Sequence, residues 1–310
     1  FNAVQSNTIT AAFNNAFGVN RLAIGIVLSV LTGIIIFGGV HRVAKVSEVI
    51  VPIFAVLYIL VSLFVVVINI GEIPGIIKTI FESAFGLREM AVGSMSGMIL
   101  VGIKRGLFSN EAGMGSAPNA AATADVTHPV KQGLIQTLGV FTDTIVICSC
   151  TAFMILLYSD YATAGLEGIE LTQAALSSQI GPIGNIFIAV CILLFAFSSI
   201  VGNYYYGESN IGFMSNNKTI LNVFRAMVVG MVLFGSVAKV QLVWDLADVF
   251  MGLMAIINLI AIALLGKYAF VVLKDYTDQK KAGIKDPVFI ASNIKGLENV
   301  ECWQEEKEEK

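Results

Sequence analysis

Apolar residues occur along the chain in long uninterrupted runs. A helix needs about 20 apolar residues to cross ~30 Å of hydrocarbon at about 1.5 Å per residue. Runs of that length predict six membrane-spanning helices, near residues 22–40, 49–70, 133–157, 184–206, 219–238 and 247–271. These runs are far longer than the ~10-residue strands of an outer-membrane barrel. We therefore expect an all-α fold, a polytopic membrane helix bundle, with residues 1–15 as the end of an earlier helix.

A short amphipathic helix is predicted between the second and third runs. Apolar residues from Ile73 to Phe85 recur at helical spacing, opposite a polar face that carries Lys78 and Glu82. Such a helix serves either as a connector that rests on the bundle or as an interfacial lid, and the pattern alone fits both.

Residues 92–124 cannot form an ordinary seventh span. They carry Lys104, Arg105 and Glu111 near the centre. Each charge costs roughly 2.5–3.5 kcal/mol at the middle of a lipid-facing helix, whereas each large apolar residue returns only ~0.3–0.6 kcal/mol. The segment must therefore face protein or water. Residues that allow a helix to break are frequent in it, namely Gly102, Gly106, Gly113, Gly115 and Pro118.

We predict a discontinuous helix near 106–113, which would bring the number of spans to about seven. Ser109 or Asn110 is expected to cap its second half, with Glu111 in the first turn near the positive end of the helix dipole. Unwound backbone at membrane depth is tolerated where it lines a cavity, and broken helices of transporters bind substrate there. The alternative is a kinked helix whose small residues allow close packing.

Composition and charge exclude several classes of protein. Hydrophobic residues make up 56% of the chain and charged residues 13%, so an ordinary soluble domain is excluded. The net charge is −3, so the composition gives no indication of a basic surface that would bind nucleic acid. The expected surroundings of the protein are the lipid bilayer. The two histidines, His41 and His128, fall at the ends of spans, and the sequence has no HExxH motif or Ser/His pairing. We therefore expect that the protein is not an enzyme. A channel would need repeated filter carbonyls or rings of charge, and the sequence shows neither pattern. A channel and a scaffold protein are therefore the weaker alternatives.

The positions of the basic residues predict the orientation. If the loop after the 22–40 run is cytoplasmic, ten basic residues lie inside and four outside, which follows the positive-inside rule. The inside set is Arg42, Lys45, Lys131, Lys218, Arg225, Lys267, Lys274, Lys280, Lys281 and Lys285, and the outside set is Arg21, Lys78, Arg88 and Lys239. We expect a transmembrane domain over 1–275 and a charged cytoplasmic C-terminal tail over 276–310. We expect the protein to lie in a plasma or inner membrane.

Several motifs resemble the signature of the sodium:alanine (alanine or glycine:cation) symporter family. The longest is KRGLFSNEAGMGSAPNAAATA at 104–124, and others include VQSN at 4–7, HPVKQG at 128–133, LGVFTDT at 138–144 and LLFAFSSIVG at 193–202. The resemblance covers residues 1 to about 275. It implies the inverted-repeat fold of the bacterial leucine transporter (LeuT-like), with a partial first repeat and a complete second repeat. It also implies that the chain lacks an N-terminal part, its own first helices.

The function implied by this resemblance is secondary active transport. A small neutral amino acid, namely alanine, glycine or serine, would be carried in symport with sodium by alternating access, without a cofactor other than the coupling ion. Proton-coupled amino-acid symport is the alternative.

The resemblance also implies a set of site residues. Substrate contacts would be Gln5, Phe108, Ser109, Asn110, Gly113 and Asn203, and sodium would bind Ser198 and Ser199. Some members have tryptophan where Asn203 stands, which leaves the exact substrate open. The serine pair is otherwise explained by bonds to its own helix backbone, and Gln5 by an interhelical hydrogen bond. Asp143, an acid inside its span, is a candidate coupling acid. A structural partner for it among Thr142, Thr144 or Lys104 explains it equally well.

Overall fold

The computed structural model describes residues 1–38, 41–85, 94–294, 296, 300 and 303, with the backbone course alone for 41–47 and 94–98. Arg88 of the predicted outside set lies outside the described residues, as does most of the charged end of the predicted tail. Secondary structure in the described residues is helical throughout. The helices are α1 Asn2–Phe17, α2 Arg21–Gly38, α3 His41–Ile68, α4 Ile73–Ala84, α5 Ser94–Asn110, α6 Ala117–Ala121, α7 Pro129–Phe141, α8 Cys148–Leu156, α9 Gly168–Ile180, α10 Ile183–Met214, α11 Lys218–Val237 and α12 Val240–Lys281.

Six helical segments in the described part of the chain are long and apolar enough to cross a membrane. They are Arg21–Gly38, Glu48–Ile68, Pro129–Leu156, Ile183–Met214, Lys218–Val237 and Val240–Lys281. Each contains or closely overlaps one predicted run, so the predicted membrane helix bundle is confirmed. The amphipathic helix is also confirmed as α4, whose Ile76 is buried while Lys78 pairs with Glu82 at 3.7 Å on the polar face.

The chain forms two compact units. The first comprises Phe1–Lys104 and Ile145–Val249, and the second comprises Arg105–Thr144 and Phe250–Lys310. Each unit is built from two stretches that are distant in sequence, because helices far apart along the chain bury their apolar faces together.

In the first unit, α1 packs against α10 and α11, and α11 packs against α2. Close approach of α1 and α11 depends on Gly235, since a Cβ there would lie 2.3 Å from the Ala3 carbonyl oxygen. Asn7 then donates to the carbonyls of Gly235 at 2.7 Å and Ala238 at 2.9 Å. These carbonyls at the end of α11 would otherwise lack partners in an apolar environment.

A second core of the first unit joins α3, α8, α9 and α10. Met154, Leu176 and Ile188 are buried at its centre, and the Tyr58 hydroxyl forms a hydrogen bond with the Thr151 hydroxyl at 2.6 Å.

A polar contact also joins α10 to α11, where Arg225 donates to the Tyr204 hydroxyl and to Glu208, each at 2.9 Å. The guanidinium charge is thereby paired within an apolar helix, where an unpaired charge is costly.

In the second unit, the end of the chain folds back. We call residues 282–294 with 296, 300 and 303 the docked segment. It lies against the loop 125–131 between α6 and α7: the Phe289 N–H donates to the Thr127 carbonyl at 2.9 Å, and Trp303 Nε1 donates to the Val126 carbonyl at 2.9 Å. Lys131 forms an ion pair with Asp286. The α12 helix continues through Lys281 before this segment begins, which is six residues into the predicted tail.

His128 is the centre of this contact. Its side chain is 0% exposed, and the rings of Tyr276 and Phe289 meet it edge-on with centroids at 5.0 and 5.3 Å. Its Nδ1 accepts from the Val130 N–H at 3.2 Å and its Nε2 lies 3.2 Å from Asp275 Oδ2. The imidazole therefore caps α7 and binds α12 at the same time.

Candidate functional site

The predicted break is present and lies at residues 111–116. The α5 helix ends at Asn110 and the short α6 helix begins at Ala117. Between them Glu111, Gly113 and Gly115 have φ values of 56°, 87° and 93°. The discontinuity is thus confirmed, but its predicted position, 106–113, began several residues too early. Gly106 remains helical, since glycine permits a positive φ but does not impose one.

The capping roles predicted for this segment were wrong. Asn110 is the last residue of α5, and its Oδ1 accepts from the Ala112 N–H at 3.0 Å, so it closes the first half of the broken helix. Glu111 follows in the left-handed region instead of occupying a first turn. Ser116 is the residue before α6. The short polar side chain of Asn110 bonds locally to the backbone, which favours an ending as readily as a beginning.

Two amides hold the broken segment. Asn258 Nδ2 of α12 donates to the Gly113 carbonyl at 2.9 Å, and Asn119 Nδ2 donates to the Gly115 carbonyl at 3.1 Å. Met114 and Ser116 are each 4% exposed, and in the part of the chain that the structure describes the Ser116 hydroxyl has no hydrogen-bond partner. Sequence reasoning missed Asn258. The available signal was an amide at the centre of an otherwise apolar span, which is costly without a partner.

A π-helical turn, Thr142–Ile147, interrupts the span formed by α7 and α8. Its side chains reach the end of α5: Ser109 Oγ donates to Asp143 Oδ2 at 2.5 Å, and Asn110 Nδ2 donates to Thr144 Oγ1 at 2.9 Å. Such turns are frequent at functional sites, because the widened turn redirects side chains. Three predicted site residues, Ser109, Asn110 and Asp143, therefore lie together.

The structure identifies a partner for Asp143 that the sequence did not indicate. Ser109 takes the place predicted for Thr142, Thr144 or Lys104. Thr142 donates instead to the Leu138 carbonyl at 2.8 Å, and Thr144 binds Asn110. Lys104 pairs with Asp248 at 3.4 Å in the first unit, as expected for a lysine near an acid.

The second group of predicted residues belongs to the first unit. Gln5 is half-buried on α1, and Asn203 on α10 donates to Asn2 Oδ1 at 3.0 Å. Because α1 and α10 pack together, these amides lie along one helix pair. The remaining contacts predicted for substrate, Phe108 and Gly113, belong to the second unit, where Phe108 is half-buried in the last turn of α5.

Ser198 and Ser199 lie on α10 within the first unit. Their hydroxyls donate to the same carbonyl, that of Phe195, at 2.8 and 3.0 Å. This is the backbone bonding that serines in apolar helices commonly make. A hydroxyl that donates in this way still presents its lone pairs, and hard cations prefer such oxygen ligands. Among the described residues, no group of three His, Cys, Asp or Glu side chains is placed to hold a metal ion.

Comparison with known sequences gives the relationships of the chain. The profile of the sodium:alanine symporter family matches residues 1–291. The amino-acid carrier protein AlsT of Bacillus subtilis is 58% identical over 309 residues, which cover 100% of this chain and 66% of the carrier. A probable sodium/glutamine symporter of the same bacterium, GlnT, is 58% identical over 303 residues, or 98% of this chain and 63% of the symporter.

A third relative is the sodium/proton-dependent alanine carrier protein of Bacillus sp. (strain PS3). It is 36% identical over 318 residues, which cover 97% of this chain and 71% of the carrier. The chain spans less than two thirds of the length of the two Bacillus subtilis relatives. The family and all three relatives are described as transporters and not as enzymes. With 291 of its 310 residues matched, the chain belongs to the sodium:alanine symporter family.

Proposed function

We propose that the protein is a secondary active transporter that couples sodium to the uptake of a small neutral amino acid. The observation that carries this proposal is the break at 111–116. Backbone groups from Ala112 to Gly115 leave the regular helical bonding between α5 and α6, within the family motif. Unwound backbone of this kind suits the charged ends of a zwitterionic amino acid, because it presents donors and acceptors close together.

Each predicted site residue has a role in this proposal. The proposed substrate contacts are Phe108, Ser109, Asn110 and Gly113 of the broken helix, together with Gln5 of α1 and Asn203 of α10. Ser198 and Ser199 give hydroxyl oxygens to sodium, and Asp143 is the candidate coupling acid. The fold around them is the LeuT-like inverted repeat, and transport proceeds by alternating access. The C-terminus is cytoplasmic and the location is the plasma or inner membrane.

Alanine, glycine and serine are the proposed substrates. Glutamine is added to the test, because a relative that is 58% identical is named a probable sodium/glutamine symporter. Proton coupling is the second candidate. The position of an acid, Asp143, within a span favours it, and one relative is named as sodium/proton-dependent.

The test is uptake of radiolabelled alanine, glycine, serine and glutamine into proteoliposomes that hold the protein at its full encoded length. Uptake is measured with and without a sodium gradient, for the unaltered protein and for Asn110→Ala. The matched control is Asn210→Ala, an exposed residue of α10 that bonds its own helix at Tyr206. We expect sodium-dependent uptake that is lost in Asn110→Ala and retained in Asn210→Ala. Uptake driven equally by protons alone would favour the second candidate, and absence of uptake would refute both.

A further inference from the structure

Asn258 is an amide in an apolar stretch of α12. The neighbouring side chains Ile256 and Ile257 are 60% and 70% exposed, as expected for residues that face lipid, whereas Asn258 is half-buried. A polar side chain inside a span is costly unless it finds a partner. Asn258 finds one in the carbonyl of Gly113, at 2.9 Å from its Nδ2.

The contact between Asn258 and the broken segment also involves shape. A Cβ at Gly115 would lie 3.1 Å from Asn258 Cβ and 3.2 Å from its Cγ and Oδ1. The amide therefore lies directly against the backbone at Gly115 while it binds Gly113. Both glycines have a positive φ, which few other residues adopt without strain. One side chain thus contacts two of the three positive-φ positions of the break, Gly113 and Gly115.

The segment that Asn258 holds retains capacity for another hydrogen bond. The Glu111 carbonyl accepts from Met114, and the Gly115 carbonyl accepts from Asn119. Within the described residues, the buried Ser116 hydroxyl has no partner. A buried hydroxyl without a partner costs about 1–3 kcal/mol, which a bound polar ligand would offset.

We propose that Asn258 is a positioning residue for the substrate site. It acts through the Gly113 carbonyl, which it holds so that the unwound segment 111–116 keeps the geometry that binds the amino acid. This inference rests on the proposed function and extends it to a residue of α12. The orientation of the segment sets how well its free groups match the substrate, because misplacement by about 1 Å is enough to weaken a site.

Kinetics test the role in the protein at its full encoded length. In Asn258→Leu, we expect the KM of sodium-dependent amino-acid uptake to rise about tenfold, with the maximal rate within about twofold, since one hydrogen bond is removed from the site. Asn258→Gln retains the amide and is expected to restore the KM to within about threefold of the unaltered protein. Ile257→Leu, on the exposed side of the same helix, is the control and is expected to leave the KM unchanged.

Hydrogen–deuterium exchange provides a readout that does not depend on transport. We expect faster exchange at residues 111–116 in Asn258→Leu and no change along α7. Unchanged exchange at 111–116 would overturn the proposal, and so would faster exchange with an unchanged KM. Absence of amino-acid uptake by the unaltered protein would refute the proposed function and this role with it. Sodium-dependent uptake with an unchanged KM in Asn258→Leu would overturn the positioning role alone.

Discussion

The hydroxyl of Ser109 donates to the carboxylate of Asp143 at 2.5 Å, across the contact between the end of α5 and the π-helical turn. A hydrogen bond to an ionised acceptor is shorter and stronger than one between neutral groups. The end of the helix before the break is therefore tied to an acid within a span. This acid is the first residue to test for a role in coupling.

Replacement of Asp143 by Asn removes the charge and keeps an oxygen that accepts from Ser109. We expect sodium-driven uptake to fall about tenfold or more, because the charge within the span and not the hydrogen bond is what coupling would use. The measurement is initial uptake in proteoliposomes at a fixed sodium gradient. Asp245→Asn is the control, since Asp245 is exposed and accepts from Gln241 of its own helix. Unchanged uptake in Asp143→Asn would exclude Asp143 as the essential coupling acid.

Gly115→Ala tests the backbone of the break. The alanine must adopt a φ near 93°, and its Cβ would lie 3.1 Å from Asn258 Cβ. We expect a loss of about 1–2 kcal/mol in stability, measured as a lower thermal unfolding temperature in detergent, together with reduced uptake. Gly102→Ala is the matched control: this glycine is helical and has open space at the Cβ position, so we expect no loss. Equal stability of the two variants would contradict the role assigned to Gly115.

Part of this arrangement was predictable from the sequence and part was not. The six spans follow from apolar runs, and the existence of the break follows from the cost of Lys104, Arg105 and Glu111 in lipid. The position of the break could not be predicted from the neighbouring residues, because Gly106 and Gly113 are the same residue type. Only the folded backbone distinguishes them. The roles of Asn258 and of the π-helical turn depend on which helices meet, a property of packing that no single run of residues contains.

Acid is expected to loosen the docked segment at its ion pair. The hydrogen bond from Lys131 holds the pKa of the Asp286 carboxyl below its ordinary value of 3.8. The positive charge of Lys280 lowers this pKa further, by a smaller amount. Because this pKa is lowered in the folded state, the stabilisation is present above the ordinary pKa and is lost as pH falls through the lowered one. Trp303, which bonds the Val126 carbonyl, reports docking by its fluorescence in a Trp244→Phe background.

Lys131→Met removes the donor, so we expect the acid midpoint of the Trp303 signal to move upward, towards the ordinary carboxyl pKa. Lys274→Met, an exposed lysine of α12, is the control and should leave the midpoint in place. The same midpoint in both variants would mean that the Lys131–Asp286 pair does not secure the segment.

His128→Leu is expected to release the docked segment by a different route. It removes the hydrogen bond to Asp275 and the cap on Val130, and the loss of each hydrogen bond costs about 0.5–1.5 kcal/mol. Trypsin should then cleave at Lys285 about tenfold faster in limited proteolysis. Thr277→Val alters only a bond of α12 to its own Leu273 carbonyl and serves as the control. Cleavage at equal rates would show that His128 is dispensable for docking.

The docked segment also affects the order in which the protein can be completed during synthesis. All residues of the first unit have been made once translation reaches Val249. The loop 125–131, by contrast, must wait for Asp275, Phe289 and Trp303, which are made more than 140 residues later. Until then His128 lacks the groups that bury it. Synthesis that stops within α12 would therefore leave this loop uncovered, and incompletely folded chains of this kind are handled by chaperones and proteases.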